Sequence, residues 1–126
     1  MIELSKEQVI AMYMKMMRET GGNFGIRSSI LLDSSLNNAF STFGGNDLYP
    51  ELEDKIANIC FCIVSNHPFV DGNKRMGIYI MLVLLKLNNI KVAYEQYELV
   101  NLGLGLAEGK LTQSDIVRWI KEHSDN

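Results

Sequence analysis

The chain has 126 residues, 47% of them hydrophobic and 21% charged, with a formal net charge of −3. That is one domain's worth of globular chain, long enough to bury roughly two-thirds of its unfolded surface without disulfide or metal staples. The acidic balance, with a pI of about 5.3, argues against nonspecific attachment to nucleic acid or to an anionic membrane surface.

In chain order, nearly every segment reads as helix. The first helix opens at Ser5 with Gln8 three residues on, a capping box, carries Val9, Tyr13, Met16 and Met17 at helical spacing, and stops at Gly21. Its methionines, Met12, Met14, Met16 and Met17, read as core filler. Residues 28–40 predict a second helix through Ile30, Leu31, Leu32, Leu36 and Phe40, weakened by Ser and Asn. Residues 41–50 are a loop by their Gly, Asn, Asp and Pro content, with room for a short hairpin. Pro50 suits the first position of a third helix, with Glu51, Glu53 and Asp54 at the positive end of its dipole and Ile56, Ile59, Cys60, Ile63 and Val64 as its apolar stripe.

A fourth helix, from about Asn73 to Asn88, is apolar nearly all round and is expected to be the buried central one. A fifth covers residues 95–109, with Gly103 and Gly105 weakening it. A sixth begins with a capping-box pair, Thr112 and Asp115, and turns Ile116, Trp119 and Ile120 inward. No internal repeat or linker is evident, so the expectation is one all-α domain, residues 1–126, of about six helices. Cys60 and Cys62, two residues apart on a helix, point apart and read as buried thiols of a reducing compartment. The N-terminus lacks a signal pattern and the apolar run at 77–87 is too short to span a bilayer, which predicts a cytoplasmic protein.

The polar chemistry is concentrated in "SNHPFVDGNKRMG", residues 65–77, between two apolar helices. Asp71, Gly72 and Asn73 lead into a helix whose first N–H groups lack internal partners, an arrangement that binds anions and phosphates above all. Gly72 lets backbone approach a ligand closely. Lys74 and Arg75 lie in the first turn, where the dipole disfavours cations, and an anionic ligand would resolve that conflict. His67 can exchange a proton near neutral pH, and Asp71 offers hard oxygens suited to Mg²⁺, which travels with phosphates. Together these are the parts for phosphoryl or nucleotidyl transfer. Taken singly, Asp71 also reads as an N-cap, His67 as a helix-end residue, and Lys74 and Arg75 as a solvated face. The spacing matches neither a nucleotide P-loop nor a zinc site.

"HPFVDGNKR" resembles the signature of the Fic/Doc family, which in its Fic branch reads H-x-F-x-[DE]-G-N-G-R-x-x-R. "TGGNFGIR", "TFGGNDLYP" and "AEGKLTQSDIVRWI" resemble its Doc, or death-on-curing, branch of bacterial toxins. The resemblance implies the Fic/Doc fold. It implies His67 as the base for a target hydroxyl, Phe69 as anchor of the loop, and Asp71 as the Mg²⁺ ligand. Gly72 and Asn73 would cradle phosphates, and Arg75 would bind phosphate oxygens. Two departures bear on the reaction: Lys74 stands where the Fic pattern has glycine, and Ile78 where it ends in arginine. The Doc branch carries the same lysine and transfers the γ-phosphate of ATP to a protein, in that branch a threonine of elongation factor Tu, so that translation stops.

No string of the inhibitory type [ST]-x-x-x-E-[GN] occurs in the sequence. The resemblance implies neutralisation in trans by a Phd-type antitoxin whose C-terminal segment folds as it binds. Phe43 and Tyr49 are candidates for a flap that holds a target or antitoxin peptide, or else are core anchors at the ends of a loop. Arg27, Lys55 and Lys91 are expected to be solvated, and His123 to lie at the surface. The rival readings are AMP transfer on the same fold and a partner-binding module without chemistry.

Overall fold

The computed structural model describes residues 1–124, so the last two residues of the expected domain lie outside it. Six helices carry the fold: α1 (Lys6–Thr20), α2 (Ser29–Asn37), α3 (Leu52–Asn66), α4 (Asn73–Leu87), α5 (Gln96–Ala107) and α6 (Gln113–His123). A 3-10 turn, Asn38–Phe40, extends α2. Two short strands, β1 (Thr42–Phe43) and β2 (Asn46–Asp47), pair antiparallel as the hairpin for which residues 41–50 left room. Its tip is Gly44 and Gly45, both at positive φ (59° and 81°), the backbone that a two-residue hairpin turn requires.

The helix ends follow local chemistry. The Ser5 hydroxyl accepts the Gln8 N–H at 3.1 Å and the Gln8 side chain accepts the Ser5 N–H at 2.8 Å, closing the predicted box. Asp115 likewise accepts the Thr112 N–H at 2.8 Å. Pro50 departs from expectation: Glu51 is the cap of α3 and the proline precedes it. Its fixed φ serves an extended approach as well as a first helical turn.

The centre of the molecule is the α3–α4 pair. α3 packs on α2, α4, α5 and α6, burying Ile56, Ala57, Ile59, Cys60, Ile63 and Val64. α4 buries Met76, Gly77, Ile80, Met81, Leu84 and Leu85. Gly77 sets their separation: a Cβ there would lie 2.6 Å from Val64 Cγ2 and 3.1 Å from the Cys60 carbonyl oxygen. The sequence predicted α4 as buried all round, but its other stripe, Ile78, Tyr79, Leu82 and Val83, is only half-buried. The glycines of α5 have packing roles as well. A Cβ on Gly103 would stand 3.0 Å from Lys74 Cγ, so α5 makes room for the stem of a lysine at the start of α4. No helix among the described residues is long and apolar enough to cross a membrane.

The C-terminal end of α6 is more tightly held than its position suggested. His123 is half-buried, not a free surface residue. Its ring stacks on Trp119 at 4.0 Å, its Nδ1 donates to the Trp119 carbonyl at 2.7 Å, and its Nε2 contacts the Glu98 carboxylate of α5. The His123 carbonyl in turn accepts the Ala93 N–H at 2.9 Å. Burial opposes the charged imidazole, but the Glu98 hydrogen bond and the Trp119 carbonyl outweigh it, and the His123 pKa is raised above 6.5. The same hydrogen bond, with that of the Glu95 N–H, lowers the pKa of Glu98 below 4.5.

Two outcomes are expected. Gly77→Ala, which forces α3 and α4 apart, loses about 1–3 kcal/mol of stability in urea denaturation. The His123–Glu98 pair gives a pH signature. The Glu98 share is present above 4.5 and fades as pH falls through its lowered folded value. The His123 share is complete below 6.5 and is lost as pH rises through its raised folded value. His123→Ala therefore destabilises the protein more at pH 6 than at pH 9, as read from melts at both.

Candidate functional site

The loop between α3 and α4 is built around two residues that depart from regular backbone. His67 closes α3 in the left-handed conformation (φ 50°, ψ 56°), and Gly72 opens α4 in the same region (φ 82°, ψ 15°). A left-handed residue at a helix end turns the chain away sharply, so the loop doubles back over a short distance. What holds it is the Asn73 side chain, 8% exposed. Its amide oxygen accepts the Phe69 N–H at 3.0 Å and its amide nitrogen donates to the Phe69 carbonyl at 2.9 Å. Both polar ends of that side chain are thus spent inside the loop. That leaves the main-chain N–H of Asn73, at the first position of α4, among the helix-start amides that face the cleft.

Phe69, 1% exposed, packs face to face with Tyr13 of α1, the ring centroids 3.9 Å apart, and Phe24 lies 5.3 Å from the other side of Tyr13. The Tyr13 hydroxyl donates to the Asp71 carbonyl at 2.8 Å. The segment between α1 and α2 runs antiparallel along the loop: the Arg27 and Ser28 N–H groups donate to the Pro68 carbonyl at 2.8 and 3.0 Å, and the Val70 N–H donates to the Gly25 carbonyl at 2.9 Å. Arg27 is exposed, as expected, but its guanidinium is engaged. Its Nε and Nη2 donate to the carbonyls of His67 and Asn66 at 2.6 and 2.7 Å, supplying the partners that the end of α3 lacks.

His67 is exposed. Its Nδ1 lies 3.1 Å from the Ser65 carbonyl. A carbonyl can only accept, so Nδ1 carries the proton of that contact, and Nε2 of the neutral ring keeps a free lone pair. Asp71 is half-buried; its Oδ2 accepts the Asn23 N–H at 3.1 Å and its Oδ1 accepts the Gly72 N–H at 2.8 Å. Those two amides, aided by Arg75, hold the carboxyl below the usual carboxylate range against partial desolvation. Arg75 Nη2 sits 3.8 Å from Asp71 Oδ1, and Arg75 Nη1 donates to Thr20 Oγ1 and, at 3.2 Å, to the Gly21 carbonyl.

His67, Asp71, Gly72, Asn73, Lys74 and Arg75 all line one open cleft of about 380 Å³. Its floor is the start of α4. Two larger hollows, of about 480 and 810 Å³, lie along the half-buried stripe of α4 with Tyr94, Leu99, Ile90 and Val92. They are mainly apolar and lack a histidine or a carboxylate, whereas a fourth hollow of about 370 Å³ between α5 and α6 holds His123 with Glu98, Asp115 and Glu122; His67 and Asp71 meet in the polar cleft at the start of α4. Ile78 lies against α5, its Cγ1 3.6 Å from where a Gly103 Cβ would stand, so the position of the second Fic arginine contributes an apolar contact.

Asp71 is a fit for Mg²⁺ of the kind that arrives with its phosphates. The carboxylate is ionised, and each oxygen retains lone-pair capacity beyond its one amide donor. No group of three or more His, Cys, Asp or Glu side chains that could cage a metal exists among the described residues. A single protein carboxylate with waters and phosphate oxygens is the usual Mg²⁺ arrangement.

The two flap candidates part company. Phe43 is 80% exposed on β1 and is no core anchor, whereas Tyr49 is half-buried. The hairpin hangs on Lys55 of α3, expected to be solvated but only 11% exposed at its side chain. It bridges Asp47 at 3.1 Å, donates to the Tyr49 carbonyl, and lies 5.9 Å over the Phe40 ring. Lys91 is exposed as expected. Sequence reasoning missed the hydroxyl of Tyr13, the amide of Asn23 and the carbonyl-capping role of Arg27. The glycine-rich run "TGGNFGIR" carried the signal, because glycines mark close backbone approach.

Replacing Asn73 by Ala leaves the Phe69 N–H and carbonyl buried without partners. It is expected to lower stability by about 1–3 kcal/mol and to abolish protection of the Phe69 amide, as read by denaturation and hydrogen exchange.

Residues 3–85 match the model of a family described as "Fic/DOC family". A curated protein named "Toxin Doc" from Mycolicibacterium smegmatis (strain ATCC 700084 / mc(2)155) is 36% identical over 73 residues, which cover 58% of this chain. The matched stretch spans 56% of that relative's own length, less than two-thirds of it.

Proposed function

The chain belongs to the Fic/Doc family, on its Doc branch, and from that premise we propose that it transfers the γ-phosphate of Mg·ATP to a hydroxyl of a protein target, acting as the toxin of a toxin–antitoxin pair. The observation that carries this reading is the orientation of His67. With Nδ1 occupied by the Ser65 carbonyl, Nε2 is left as the base at the rim of a cleft whose floor is the anion-binding start of α4.

In the proposed reaction, His67 Nε2 takes the proton of the target hydroxyl as its oxygen bonds to the γ-phosphorus. The bond from that phosphorus to the β–γ bridging oxygen breaks, and ADP leaves with the electron pair. Lys74 and Arg75 and the first amides of α4 neutralise and hold the phosphates, the main task of a protein in phosphoryl transfer. Asp71 would hold Mg²⁺, which would supply charge neutralisation to the phosphates. Lys74, whose stem is steered by Gly103, occupies the side of the cleft where the Fic pattern keeps glycine open. Ile78, packed on α5, supplies no phosphate contact. Both features favour transfer of the γ-phosphate over transfer of AMP.

The toxin reading draws support from the name of the matched relative. A threonine of elongation factor Tu as the acceptor, with arrest of translation, and a Phd-type antitoxin as the partner rest on branch resemblance, and the exposed Phe43 on its tethered hairpin is the surface we assign to grip either peptide.

The test uses purified protein with Mg²⁺, elongation factor Tu and ATP labelled on either the α- or the γ-phosphate. Only the γ-label is expected on the target, and His67→Ala lowers its appearance by about 10²–10⁴-fold while leaving nucleotide affinity within a few-fold. Transfer of the α-label would establish AMP transfer instead. Growth arrest that persists in a His67→Ala, Asp71→Ala double variant would establish a binding module.

A further inference from the structure

The contacts of residues 20–23 go beyond closing α1. Within four residues, this segment grips the two charged side chains of the cleft that face each other. The Asn23 N–H donates to Asp71 Oδ2 at 3.1 Å. Thr20 Oγ1 and the Gly21 carbonyl, at 3.2 Å, both accept from Arg75 Nη1. The Thr20 hydroxyl is itself aimed, donating to the Met16 carbonyl at 2.8 Å, so its lone pairs face the guanidinium. Gly22 lies between the two grips at φ 116°. A Cβ there would stand 2.6 Å from Asp71 Oδ2, 2.9 Å from Met17 Cε and 3.3 Å from Arg75 Nη2.

A carboxylate and a guanidinium 3.8 Å apart would, if free, close into a bidentate pair and neutralise each other. Here the Asn23 amide draws Oδ2 to one side and the Thr20–Gly21 oxygens draw Nη1 to another. The pair is held open, and each group keeps capacity for a ligand. The residues that follow are pinned to the loop by main-chain bonds, from the Val70 N–H to the Gly25 carbonyl and from the Arg27 and Ser28 N–H groups to the Pro68 carbonyl. The grip therefore moves with the loop as one unit and does not depend on a free-standing coil.

We propose that residues 20–23 are a positioning strap for the catalytic cleft: Asn23, through its amide, fixes Asp71 for the cation, Thr20 fixes Arg75 for phosphate, and Gly22 is required because any side chain there displaces both. The proposal rests on the phosphotransfer reading for its consequence. The grip itself can be read without ligand.

The test compares Gly22→Ala with Gly109→Ala. Gly109 also has positive φ (74°), and a Cβ there meets nothing within 4 Å. Gly109→Ala thus reproduces backbone strain in the turn between α5 and α6 without a contact to Asp71 or Arg75. In the ligand-free proteins, hydrogen exchange at the Asn23 amide is expected to quicken about tenfold in Gly22→Ala and to stay unchanged in Gly109→Ala. With Mg²⁺ titrated at fixed ATP, Gly22→Ala shifts the half-saturating Mg²⁺ concentration upward by about tenfold, and Gly109→Ala by less than twofold. Thr20→Val weakens ATP binding by several-fold with little change in the Mg²⁺ midpoint, and Thr20→Ser restores it. Equal Mg²⁺ shifts in the two glycine variants, unchanged Asn23 exchange in Gly22→Ala, or failure of Thr20→Ser to rescue would overturn the strap. Should the wild-type protein bind ATP without any Mg²⁺ dependence, the phosphotransfer reading fails. The Asn23 exchange and the Thr20 pair then still decide whether the strap holds the two side chains.

Discussion

The two hydrogen bonds between the Asn73 side chain and the Phe69 main chain are the constraint on which the site depends. They join the first residue of α4 to the middle of the preceding loop, and so fix how far the chain travels between the end of α3 and the start of α4. Buried bonds of this kind contribute modestly when made and are expensive to leave unmade. The left-handed residues at either end of the loop are tolerated because this lock, the Tyr13–Phe69 stack and the Arg27 cap over-determine the path between them. The functional groups inherit their positions from that path: His67 at its entry, Asp71 at its apex, and Lys74 and Arg75 in the helical turn that follows.

The same economy of parts explains the glycines. Gly77 sets the approach of α4 to α3, and Gly103 that of α5 to the Lys74 stem. In helix interiors glycine is disfavoured by about 1 kcal/mol relative to alanine, so a sequence that keeps both is trading helix propensity for contact. That trade links the core to the cleft. The packing of α5 determines where a lysine at the mouth of α4 can lie.

Much of this was legible in the sequence, for physical reasons that can be named. Helical periodicity and capping boxes marked the six helices, because apolar spacing and cap chemistry act within a few residues. The two cations stood out because they break the dipole rule at a helix start, and the histidine and carboxylate because they lie within a few residues of them. What stayed hidden was whatever depends on the partner of a side chain. Nothing within the sequence neighbourhood of Arg27 or Lys55 announces that one caps a helix end far away in the chain and the other suspends a hairpin. His123 seemed peripheral because it is near the terminus, yet α5 brings Glu98 to its ring. Asn73 was legible as a member of the motif, but not its lock on Phe69, which depends on how the loop folds back. Pro50 misled by a short offset, because a fixed φ is compatible with two adjacent places.

The tethering of the β1–β2 hairpin has a kinetic consequence. Its four paired residues are all exposed, and its tip is two glycines. Little apolar surface holds it closed beyond the reach of one lysine, so it lies near the bottom of the molecule's hierarchy of opening free energies, far below the α3–α4 pair. Excursions of the hairpin should therefore be frequent while the α3–α4 pair stays closed. The Lys55 ammonium, which bridges Asp47 and reaches the Tyr49 carbonyl, is the contact that such an excursion must first release.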